Sequence, residues 1–75
     1  MWKQGITSGH WWQAKVYDEP SQFGINGGRV SKLVIARGSR WEGMNHIVNT
    51  YDRGPDVDRT PPGLLDAVLA AACTN

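Results

Sequence analysis

The segment "RVSKLVIAR", Arg29–Arg37, is the stretch on which the fold turns. Val30, Leu33, Val34 and Ile35 give it the branched apolar content of a β-strand, and neither glycine nor proline interrupts it. Toward its C-terminal half both faces read as apolar, the mark of a strand at the centre of a sheet. A central strand needs a neighbour on each side, and the flanking sequence offers them.

On the N-terminal side, Trp2, Gln4 and Ile6 alternate with Lys3, Gly5 and Thr7. Beyond "TSGH", Trp12, Ala14 and Val16 alternate with Trp11, Gln13, Lys15 and Tyr17. Period-two alternation on both sides of a Ser-Gly turn predicts a hairpin with strands over residues 2–8 and 11–17. The central strand is expected over 29–37, and "HIVNTY" predicts a fourth strand over 46–51 that pairs back on it. "DEPSQFGINGG", "GSRWEGMN" and "DRGPDVDRTPPG" are rich in Gly, Pro, Asn, Ser and Asp and read as connections. The chain then enters a helix over 61–73, with Thr60 as N-cap, Pro61 in the first turn and Asp66 near the positive end of the helix dipole. Leu64, Val68 and Ala72 form one stripe and Leu65, Leu69 and Cys73 the next, so one helix face is apolar. The expected fold is α+β: a four-stranded antiparallel sheet in the order β-β-β-β-α, with one C-terminal helix packed on one face and the other face open.

Composition sets bounds on function. At 75 residues the chain is one small domain, near the size at which roughly 60 % of the unfolded surface can be buried. Eight Lys and Arg against seven Asp and Glu leave a net charge of +1, so no overall basic field draws in nucleic acid, and charge-driven binding must come from a local patch. The single cysteine, Cys73, allows neither an intramolecular disulfide nor a thiolate metal cluster, which fits a cytoplasmic protein. "MWKQGITSGHWW" lacks the apolar run of a signal peptide, and no segment approaches the ~20 apolar residues of a membrane span, so no membrane partner is expected. No cofactor motif is present.

The candidate sites each have a bland alternative. Asn26, Gly27 and Gly28 are compatible with a nest of backbone N–H groups that holds an anion beside Arg29 and Lys32; equally, they supply positive φ at a bend entering a strand. A phosphate loop should open a helix, and this one opens a strand. "YDRGPD" gathers Tyr51, Asp52, Arg53 and Asp56, residue types that bind partners or a divalent cation, or that simply make turns. His10 and His46 are too few for a metal site without carboxylates. Trp11 and Trp12 are adjacent on a strand and must face opposite ways, so one of them is expected on the exposed side. There it joins whichever of Lys15, Tyr17, Lys32 and Arg29 share that side, with Arg40 and Trp41 of "ARGSRW" close by.

"DEPSQFGINGGRVSKLVI" followed by "YDRG" resembles a family of short, uncharacterised phage and bacterial proteins. Its members carry a G-I-N-G-G-R-[IV]-S-K-L segment and then Y-D-R-G-W-D. The likeness spans about Trp11 to Asp56, with a longer insert at "GSRWEGMN" and with Pro55 where the family has Trp. No activity comes with that family. What the resemblance implies is context: small phage-borne domains of this kind act by binding a host protein or by sequestering a nucleotide. The expected function is therefore a non-enzymatic binding protein, a phage-encoded inhibitor of a CRISPR-type defence complex, with Arg29, Lys32, Arg40, Trp41, Tyr51, Asp52, Arg53 and Trp11 as binding residues. The alternative is a nucleic-acid or nucleotide-binding module that uses the Arg, Lys and Trp residues of the open face. A metal-assisted hydrolase built on Asp52 and Asp56 is the third reading. An open face or unpaired edge strand also makes a homodimer an expected assembly.

Overall fold

The computed structural model describes residues 1–22, 24–41, 43–52 and 54–73. Its elements, in chain order, are strands β1 (Trp2–Thr7), β2 (His10–Val16), β3 (Val30–Arg37), β4 (Ile47–Asp52) and β5 (Pro55–Asp58), and helix α1 (Leu64–Ala72). Single 3₁₀ turns occur at Ile25–Gly27 and Met44–His46. All five strands form one antiparallel sheet in sequential order, with β3 at its centre.

The first hairpin turns on Ser8 and Gly9, at φ 51° and 74°. Positive φ at both central residues is the type I′ condition, and the twist of that turn matches the twist of the strands it joins. It sets the register Thr7↔His10 through Trp2↔Lys15. Register shifts interrupt each of the three later strand pairings, the last between β4 and β5. Between β2 and β3, Lys15 pairs with Lys32 and Val16 with Val30, leaving Ser31 as the extra residue; between β3 and β4, Val48 is extra in the same way.

The sheet is α+β as expected from the sequence, but it has five strands, not four. The fifth lies in "PDVD", where proline content argues against regular structure. Pro55 is tolerated because it is the first residue of an edge strand, where no ladder donor is required of it. The helix also begins later than the sequence implies. Thr60 does not cap it: its hydroxyl donates to Asp58 Oδ1 at 2.6 Å, Pro61 closes a turn through the Leu64 N–H, and Gly63 at φ 83° occupies the N-cap.

Helix α1 packs across β1 and β2. Leu64, Val68 and Ala72 are buried against Trp12, Ala14, Val16, Val30, Leu33 and Ile35, with Leu65, Leu69 and Cys73 flanking them. The Arg29 guanidinium donates to the Cys73 carbonyl at 2.9 Å, so a cation meets the negative end of the helix. Trp12 stacks over Gly5, its cross-strand partner, and its indole N–H donates to Thr7 Oγ1 at 2.9 Å. A Cβ on Gly5 would come within 2.8 Å of the Trp12 ring, which is why the smallest residue stands there. Among the described residues, the second face of the sheet carries no helix.

Candidate functional site

Register and alternation settle which side chains occupy the uncovered face. Three rows cross the strands there: Trp2, Lys15, Lys32 and Asp52; Gln4, Gln13, Val34, Thr50 and Val57; Ile6, Trp11, Ala36 and Ile47. The chain has four Trp, two Tyr and one Phe. Trp2, Trp11, Trp41 and Tyr17 belong to this side, whereas Trp12 and Tyr51 pack into or against the core.

The first row opposes two ammonium groups, since Lys15 and Lys32 are direct cross-strand partners. Like charges so placed repel, and each is drawn aside by a different neighbour. Lys15 Nζ lies 5.9 Å from the centroid of Trp2 and 5.4 Å from that of Tyr17, held between two ring faces. Lys32 Nζ turns to Asp52 at 3.9 Å, an exposed pair worth about 0–1 kcal/mol. The Ser31 hydroxyl and then the Lys15 ammonium hold the Tyr17 phenol below its ordinary pKa, because both favour the phenolate.

At the opposite corner the Trp11 and Trp41 rings meet at 5.6 Å and 57°, a tilted aromatic pair. The connection after β3 that carries Trp41 is tied down by Arg37, which donates to the Asn45 carbonyl at 3.0 Å. Beside the first row lies a shallow depression of about 230 Å³, lined by Trp2, Gln13, Lys32, Leu33, Val34, Thr50, Tyr51 and Asp52. Among the described residues, Thr50 Oγ1 is the one buried side-chain polar atom without a hydrogen-bond partner. Trp2, Ile6, Tyr17 and Trp41 are 53, 58, 41 and 45 % exposed, a density of exposed apolar side chains that one sheet face of this size does not need for folding.

The residues expected from the sequence divide. Lys32 with Asp52 and Trp11 with Trp41 form two separate pairs on the open face, and Arg40 is exposed on the connection next to Trp41. Arg29 does not join them, because its guanidinium is committed to the helix end. Tyr51 borders the depression, but it pairs with Leu33 and packs against the core on the helix side. Arg53 lies outside the described residues, as does Phe23. The anion nest finds no support, since the Gly27 and Gly28 N–H groups donate inward to Gly24 and Ile25 carbonyls at 3.0 and 2.9 Å. Gly24 is required instead by loop closure, as a Cβ there would stand 2.0 Å from the Gly28 oxygen. Among the described residues no three His, Cys, Asp or Glu side chains converge as metal ligands.

Trp2 belongs to the site although its residue type alone does not mark it. The signal for it is the turn: two residues at Ser8-Gly9 make facing positions sum to a constant, which places Trp2 opposite Lys15 by residue number alone. Asp58 and Thr60 form a separate polar cluster on the helix side. The Thr60 hydroxyl and N–H and the buried Asn49 amide all donate to Asp58 Oδ1, at 2.6, 3.4 and 3.4 Å, and hold its carboxyl below the usual range. This cluster ties β4 and β5 to the entry of the helix.

Among the described residues no helix is long and apolar enough to cross a membrane. The family model described as "Domain of unknown function (DUF7678)" matches residues 1–74, and the chain belongs to that family. The match is wider than the Trp11–Asp56 segment on which the sequence resemblance rests. No curated protein and no solved structure matches the chain.

Proposed function

We propose that this member of a family without an assigned activity is a non-enzymatic binding protein that docks another protein on the open face of its sheet. The observation that supports this reading is the placing of Trp2, Trp11, Tyr17 and Trp41 on the face the helix leaves uncovered, with Trp2 and Tyr17 flanking a pair of lysines that the register sets side by side and Trp11 and Trp41 paired at the opposite corner. Exposed aromatic rings held in pairs lose little conformational entropy on binding and act as anchors at interfaces. Lys15 and Lys32, beside Trp2 and Tyr17 at one end of the face, favour a partner surface that offers carboxylates next to apolar side chains. The narrower reading, an inhibitor of a bacterial defence complex, draws on the resemblance of the "GINGGRVSKL" and "YDRG" segments and names the bait to try first.

The test is capture of host protein on immobilised wild-type chain, repeated with Trp11→Ala/Trp41→Ala and with Lys15→Glu/Lys32→Glu. A partner retained by wild type and lost at least tenfold by both variants supports the reading. Equal capture by all three, or none, counts against it.

A second reading, a nucleotide or single-stranded nucleic-acid binder, draws on the same rings and lysines, since base stacking on aromatic platforms needs cations beside them. It is the weaker of the two because Arg29 and Arg37 are engaged with main-chain carbonyls of the fold. Binding to oligonucleotide that falls steeply between low and moderate salt would promote it above the first.

A further inference from the structure

The two edges of the sheet are built differently. β5 is an edge protected in the usual ways: four residues, a proline at its start and a register shift where it meets β4. β1 has none of these. It runs for six residues without proline or bulge, in unbroken register with β2, and its outer side pairs with nothing among the described residues.

Which main-chain groups face outward from β1 follows from the hairpin. In a two-residue turn the flanking pair, Thr7 and His10, exchanges both hydrogen bonds, and bonded pairs recur at every second residue. At the far end Met1 and Val16 exchange two bonds, of 2.7 and 2.9 Å, in step with that count. Met1, Lys3, Gly5 and Thr7 therefore point their N–H and C=O groups at β2. Trp2, Gln4 and Ile6 point theirs away from the sheet.

We propose that β1 pairs antiparallel with β1 of a second copy, about a two-fold axis through Gln4, joining the two sheets into one. Only registers that keep each side chain on its own face satisfy such an axis, so its centre is a single residue. Centred on Gln4, the facing pairs are Trp2 with Ile6 of the second copy, Gln4 with Gln4, and Ile6 with Trp2. All three are outward-facing, so each exchanges two main-chain bonds. On the open face this sets each exposed Trp2 against an exposed Ile6, and on the helix side it sets Lys3 against Gly5. Centring on Lys3 would oppose Lys3 to Lys3, and centring on Gly5 would leave Trp2 without a facing partner. The strand is thus self-complementary in hydrogen bonds, apolar contact and charge at one register.

Sedimentation velocity and native mass spectrometry of the intact chain test this. Wild type is expected to be a dimer at micromolar concentration. Gln4→Pro removes an outward N–H that β2 does not use, so it should give a folded monomer by circular dichroism, weakened at least tenfold in association. Gln4→Lys and Gln4→Glu each oppose like charges at the axis and should be monomeric alone, yet combine into a heterodimer when mixed. That last result reads out the register itself, and it decides the matter even if the proline variant does not fold. A monomeric wild type, a Gln4→Pro dimer as tight as wild type, or mixed Lys and Glu variants that fail to pair would overturn the proposal. Trp11 and Trp41 are unaltered in all of these variants, so loss of the dimer with partner capture retained separates this proposal from the binding role of the face.

Discussion

Trp11 and Trp12 are neighbours in sequence and differ in nearly everything the fold imposes on them. Trp12 is 4 % exposed, seated on Gly5, hydrogen-bonded to Thr7 and covered by the helix. Trp11 stands on the uncovered side, half-buried, touching Trp41. The contrast extends to the whole sheet: the helix side is a close-packed core of aliphatic residues and one indole, while the other side holds rings and lysines that satisfy one another in pairs. One face holds the molecule together, and the other has side chains to spare.

The sharpest way to break that comparison is to truncate each tryptophan in turn. Trp12→Ala is expected to cost about 3–5 kcal/mol of stability, since it leaves a cavity beneath the helix and an unpaired Thr7 hydroxyl. Trp11→Ala is expected to cost about 1 kcal/mol, the worth of one aromatic pair. Urea denaturation of both variants measures the difference, and equal losses would mean that the open face is as much a core as the covered one.

A smaller effect, of opposite sign, is expected at Thr50. Its hydroxyl is buried without a partner between Val34 and Val57 of the same row, so Thr50→Val keeps the shape and removes an unmet polar group. The variant should be more stable by about 1 kcal/mol, read as a higher urea midpoint at unchanged slope. A destabilised variant would show that the hydroxyl is satisfied in solution.

The smallest effect is expected at the Asp58 cluster. Asp58 has a depressed pKa in the folded state, so its contribution is complete above the ordinary carboxylate range and is lost as pH falls through the lower folded value. Between about pH 5 and about pH 2, wild type should therefore lose stability more steeply than Asp58→Asn. Parallel curves for wild type and Asp58→Asn would remove Asp58 from the list of groups that favour the fold.

Much of the architecture was legible because it depends on local periodicity. The apolar run of Arg29–Arg37 marked the central strand, the Ser8-Gly9 turn marked the hairpin, and the Leu64, Val68, Ala72 stripe marked the buried side of the helix. The fifth strand was not legible, because the prolines and aspartates of "PDVD" argue for a loop and only an edge position excuses Pro55. The site was half legible. Trp11, Lys32, Trp41 and Asp52 were recognisable by type, but the alternation that sends Tyr51 to the core and the bulge at Ser31 are pairing facts that no single segment contains.

Local chemistry therefore settled which residues become strand, turn and helix, because turn geometry and side-chain period act over a few bonds. It also settled that Trp11 and Trp12 must part. Which of the two would be covered was decided only when α1 came down across β1 and β2, on the side where Gly5 makes room for an indole and Arg29 reaches the last turn of the helix. The burial of one face and the exposure of the other is a single long-range choice, made by the fit of an apolar helix stripe against one of two surfaces. The binding role proposed for this protein rests on the surface that was not chosen.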